Sequence, residues 1–116
     1  MTNKIHLHET SFHRIETLLK LSEDFTTHAF LLPELLAKTI RDLHRFNNNN
    51  LSYHSSVEIM DILNITCTEE EKELLNNIEN ALRKINEYQA LTHSLPKDIF
   101  LSIVLKLQNY MSNLQG

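Results

Sequence analysis

Apolar residues along this chain recur at steps of three and four, the spacing that places them on one face of an α-helix. Phe12, Ile15, Leu18 and Leu19 form the first such stripe, with Leu21 beside it, and the spacing predicts a helix starting near Thr10 or Ser11. Ser22-Glu23-Asp24 then breaks the pattern or opens a new N-terminus. A second segment, 25–46, has Leu36, Ile40 and Leu43 on one face, supported by Leu35 and Phe46. Pro33 lies inside it, so either a short helix ends before Pro33 or one helix kinks there. Four asparagines, Asn47–Asn50, end the segment as a solvated connector.

A third helix is expected from Ser52 or Tyr53 to Leu63, with Val57, Ile59, Met60 and Ile62 as its apolar residues. The fourth carries a clear start signal. Thr68 with Glu71 three residues later is a capping box, and Glu69, Glu70 and Glu71 sit at the positive end of the helix dipole. Leu75, Ile78, Leu82 and Ile85 continue the stripe, with Leu74, Ala81 and Tyr88 alongside, which predicts a rod of more than about 20 residues, or about 30 Å. Glu79–Arg83 and Arg83–Glu87 are expected as ion pairs on its solvated face. The last helix begins around Pro96 and runs to about Leu114. Ile99, Phe100, Ile103, Val104, Leu107, Met111 and Leu114 form a wide stripe, and Leu101 and Leu105 lie on another side. These elements predict an all-α fold, an antiparallel bundle of four to five helices with short loops, as one domain over residues 1–116 with 1–9 as a frayed N-terminus.

Composition removes several function classes. Glycine occurs once, at Gly116, so phosphate-cradling Gly-rich loops, dinucleotide fingerprints and strained nucleophile elbows are excluded. Cys67 is the single cysteine, which excludes disulfide frameworks and Cys-based zinc sites and fits a reducing compartment. A net charge of −4 argues against binding a phosphate backbone, and no nucleic-acid partner is expected. Arg41, His44 and Arg45 are basic, but the helix that follows has no Lys or Arg to read a groove. Their simpler role is to face a helix C-terminus. The stretch 99–107 is too short and too polar to span a membrane, and no secretory signal is visible, so a cytoplasmic location is expected.

Seven histidines stand out. His54–Glu58 and His93–Asp98 resemble two of the ligand elements of hemerythrin-like oxygen-binding bundles. The His-xxx-His element of that family is missing here, because the fourth helix has no histidine. Surface or hydrogen-bonded histidines are the plainer reading, and neither a metal site nor a cofactor is expected. His6, His8 and His13 have the same plain reading at a frayed end. Cys67 precedes a helix N-terminus, which lowers thiol pKa values, but the three glutamates after it oppose a thiolate. A Cys packed against the first turn is expected instead.

What remains is a non-enzymatic protein that acts by contact. The stretch from Val57 to Glu71, a short helix joined to a capped longer one, resembles the middle of small helical-bundle bacterial immunity proteins. The resemblance covers about an eighth of the chain. It implies an inhibitor that neutralises a bacterial toxin by binding and occlusion. Against a basic toxin cleft the expected contacts are Glu58, Asp61, Glu69, Glu70, Glu71 and Glu73; against a membrane-active toxin they are Leu101 and Leu105. The alternative is an adaptor or secretion-chaperone-like protein acting as a homo-oligomer, with the last helix at a two-fold homodimer interface.

Overall fold

The computed structural model describes residues 2–47 and 54–115. Within them the chain is helical throughout, with no strand: α1 (Thr2–Leu21), α2 (Phe25–His28), α3 (Leu32–Asn47), α4 (Ser56–Ile62), α5 (Glu69–Ala81), α6 (Ile85–His93) and α7 (Lys97–Gln115). A single 3-10 turn, Ser22–Asp24, joins α1 to α2. The expected loop at Asn48–Asn50 and the side chains of His6 and His8 lie outside what is described, while the third helix, expected from Ser52 or Tyr53, starts only at Ser56, because Ser55 is extended and caps it.

The helix boundaries follow from local chemistry. α1 starts at Thr2 rather than near Thr10, so its backbone includes the segment expected to fray. No Gly or Pro interrupts 2–21, and a nucleated helix propagates where nothing stops it. Of the two alternatives at Pro33 the first holds, a short helix ending before it with no kink. Pro33 sits in the first turn of α3, where its missing N–H costs no hydrogen bond. Thr68 caps α5 as expected: its Oγ1 accepts from Glu71 N–H at 3.1 Å, and its own N–H donates to Glu71 Oε1 at 2.8 Å. A second capping box starts α4, with Ser55 and Glu58 in the same two roles.

α4 ends on Asn64, whose φ of 63° is left-handed. Ile65 N–H reaches Met60 O at 2.9 Å and Asn64 N–H reaches Asp61 O at 3.0 Å, while the Ile65 and Met60 side chains are both buried. This is a Schellman stop, and asparagine occupies the position where most chains place glycine.

The long fourth rod does not form. Leu82–Lys84 interrupts it, with Lys84 extended at φ −139°, and α6 folds back along α5. Leu91 and Ser94 then line a shallow depression with Glu70 and Leu74 at the start of α5. Nothing in 82–84 breaks a helix intrinsically; the core decides. Reversal lets Leu91 pack against the core and buries Leu95, which a straight rod would carry past it.

α3 is central, packed on α1, α4 and α5, while α7 packs on α1 and α5. Ile15, Leu18, Leu36, Ile40, Leu43, Leu75, Ile78, Phe100, Ile103 and Leu107 are almost wholly removed from solvent, and the Phe25 and Phe100 rings meet edge to face at 5.7 Å. The radius of gyration, 13.7 Å, is close to the value of about 13 Å typical of a compact chain of this length. No helix among the described residues is long and apolar enough to cross a membrane.

Candidate functional site

Two buried charge networks tie the helices together, and each includes a glutamate expected at the surface. Glu71 is only 2% exposed. Its Oε1 accepts from Lys106 Nζ at 2.5 Å as well as from Thr68 N–H, and its Oε2 accepts from Ser102 Oγ at 2.6 Å. Burial alone would raise its pKa, but the donors from Lys106, Ser102 and Thr68 outweigh burial and hold the carboxyl below the ordinary range. Glu71 therefore fastens α5 to α7 and is not available to a partner. Glu79 likewise does not lie on a solvated face. It is buried and accepts from Arg41 at 2.6 Å on each oxygen and from Ser56 Oγ at 2.6 Å. Arg41 also donates to His54 O at 2.9 Å. Its role is to join α3, α4 and α5, rather than to face the end of its own helix.

The other expected contact residues are scattered. Glu58 is exposed and held by its cap. Hydrogen bonds from the Ser55 backbone and side chain, then the approach of His54 at 3.7 Å, keep its carboxyl below the usual range. Asp61, Glu69, Glu70 and Glu73 are exposed, with Lys72 lying 3.7 Å from Glu69. Leu105 is exposed and Leu101 half-buried.

Among the described residues no group of three or more His, Cys, Asp or Glu side chains is placed to hold a metal ion. His93 and Asp98 are both exposed. His44 is different. It is 6% exposed, neither ring nitrogen has a hydrogen-bond partner, and its ring stands edge to face against His54 at 5.1 Å. Burial, then the nearby His54 and Arg41, lower its pKa and hold it neutral. Cys67 is half-buried and packs against the core. Burial and then the Glu71 charge push its thiol pKa up, despite Lys106 and Lys72. These surroundings disfavour the thiolate.

The most distinctive surface lies where the chain turns into α3 and from α5 into α6. Phe30 is 53% exposed, Leu31 54% and Ile85 66%, and Leu82 is also exposed. Phe30, Leu82 and Ile85, with Ala81, Glu34, Arg83 and Tyr88, line a cleft of about 400 Å³. Tyr88 forms its floor. The phenol donates to Phe30 O at 2.5 Å and accepts from Glu34 N–H at 3.4 Å, and the two rings meet edge to face at 5.2 Å. Burial first, then the Glu34 charge, raise the Tyr88 pKa, so the hydroxyl stays a donor at neutral pH.

The apolar stripe expected through Leu75, Ile78, Leu82 and Ile85 ends at Ile78: Leu82 and Ile85 are exposed, beside Phe30 and Leu31, for which the periodicity carries no expectation. A signal was present. Ala29-Phe30-Leu31-Leu32 places four apolar residues in succession before Pro33, more than one helix face can bury. Compared with known proteins, the chain matches no family model, no curated protein and no solved structure.

Proposed function

We propose that this chain is a non-enzymatic protein-binding module whose specific role is that of an immunity- or antitoxin-type inhibitor, occluding a bacterial toxin in the cytoplasm. Its scaffold is an antiparallel bundle. The observation that carries the reading is the cleft of Phe30, Leu82 and Ile85 with Leu31 beside it. Aromatic and large aliphatic side chains gathered at one exposed place are the usual anchors of a protein interface. The exposed acids Glu58, Asp61, Glu69, Glu70 and Glu73 keep a secondary role, steering a basic surface of the partner. On α5 they begin at Glu69, the end opposite Leu82, about 20 Å away along the helix.

The test is co-purification from the source cells with a C-terminally tagged chain, wild type beside Ile85→Glu. Ile85 is largely solvated, so the substitution leaves folding intact. A stoichiometric toxin retained by wild type and lost with Ile85→Glu supports the proposal. A partner retained equally by both places the interface elsewhere. A wild-type dimer that becomes a monomer in Ile85→Glu favours the homo-oligomeric adaptor.

A further inference from the structure

The apolar cleft does not end at Leu82. A second depression of about 560 Å³ shares Glu34 and Leu82 with it and continues along α3 past Ala37, Lys38, Arg41, Asp42 and Arg45. Glu34, Lys38, Arg41 and Arg45 follow one another at steps of four, three and four, so they form a single row on α3, about 16 Å long. The two depressions make one trough, with the large apolar side chains Phe30, Leu82 and Ile85 at one end and the charged row of α3 at the other.

Its charge is opposite to that of the molecule. The chain carries a net −4. Along the trough, Asp42 is held by Arg14 and Arg41 by Glu79, so those charges are largely matched within the fold. Lys38 and Arg45 stand exposed on the rim against a single exposed acid, Glu34. A cationic rim beside an apolar anchor site selects a ligand with the reverse pattern.

We infer that the trough receives an amphipathic helix of the partner protein, about three to four turns long, whose large apolar residues seat against Phe30, Leu82 and Ile85 and whose carboxylates lie along Lys38 and Arg45. The inference rests on the proposed reading of the cleft as the interface and adds the chemistry of what fills it. An extended strand is less suitable, because the trough offers no sheet edge to pair its backbone. The row on α3 has the periodicity a second helix matches.

The experiment is a selection from a phage-displayed library of helical peptides about four turns long, randomised on all faces, against the full-length chain. Parallel selections use Ile85→Glu and the double variant Lys38→Glu/Arg45→Glu; all three substituted positions are exposed, and circular dichroism verifies each fold. The expected result is enrichment of peptides with clustered apolar residues and net negative charge. A synthesised winner, measured by fluorescence anisotropy, should lose about tenfold or more in affinity with either variant and weaken as salt rises. Winners that need Ile85 but are neutral or basic, or that bind Lys38→Glu/Arg45→Glu as well as wild type, overturn the acidic-helix inference and leave the cleft as an interface. Winners indifferent to Ile85→Glu, or no enrichment at all, overturn both. Sedimentation of wild type as a dimer that Ile85→Glu dissociates assigns the trough to a second copy and also overturns the inference.

Discussion

Replacing Glu71 with alanine removes three accepted hydrogen bonds from one buried carboxylate. One comes from Thr68 N–H, one from Ser102 Oγ and one, charge-assisted, from Lys106 Nζ. Breaking a fully buried ion pair from one side costs about 3–5 kcal/mol, because the surviving charge is stranded. Here the survivors have other outlets. Ser102 Oγ can turn its single proton to Ile99 O, 2.7 Å away, Lys106 Nζ donates to Thr66 O at 2.9 Å, and the Lys106 side chain is about one-third exposed and can rehydrate. The expected destabilisation is therefore about 2–4 kcal/mol, a large part of the 5–15 kcal/mol typical of a domain. Glu71→Gln keeps one acceptor oxygen for Thr68 and Lys106 but loses the charge and turns an NH2 donor towards Ser102, so it should cost about half as much. Glu70→Ala, one residue away but exposed, should stay within about 0.5 kcal/mol of wild type. Urea unfolding followed by circular dichroism, with unchanged m-values, measures all three. If Glu71→Ala and Glu70→Ala are indistinguishable, Glu71 is not the fastening between α5 and α7, and its reassignment from contact residue to structural residue fails.

His44 predicts an acid-sensitive fold. Its folded pKa lies below the ordinary 6.5, so the unfolded chain binds the proton more readily. Its contribution is complete above about pH 6.5 and is lost as pH falls from there towards the folded value, by up to about 1.4 kcal/mol per pH unit. His44→Phe keeps a ring against His54 and should flatten the fall in stability between pH 7.5 and 5.5; an unchanged fall would refute the assignment. Glu71 acts in a separate, lower window: its stabilisation is present above its unfolded pKa and lost as pH drops through the depressed folded value. Cys67, whose thiol pKa is raised, should react with iodoacetamide at pH 8 about tenfold more slowly than free cysteine, and a rate at or above the free thiol's would revive it as a nucleophile.

The parts of this fold legible in the sequence are those that local chemistry settles. Thr68 and Glu71 are three residues apart, and their reciprocal bonds depend on nothing distant, so the start of α5 reads directly. The stop at Asn64 was readable on the same terms, but its signal is an asparagine where glycine is the habitual cue. The reversal at Leu82–Lys84 has no local cue, because it depends on where Leu91 and Leu95 find the core. Distance in sequence also hides the site. Phe30 and Tyr88 are 58 positions apart, and the charges that meet as Arg41 and Glu79 are 38 apart. Periodicity identified Glu71 as acidic and near a helix start, but only the packing of α7 turns that same carboxylate inward to Lys106.

Tyr88 gives the cleft a property beyond its shape. Its hydroxyl is bonded to the Phe30 carbonyl and the Glu34 amide, and its ring braces the Phe30 ring from below. An exposed phenylalanine at a chain turn would ordinarily sample several orientations, and a binding partner would have to freeze one of them, at a cost of about 0.5–1.5 kcal/mol of side-chain ordering. Here folding has already frozen it. The conformational entropy was surrendered when α6 closed over the turn into α3, so the anchor meets its partner in the shape it keeps.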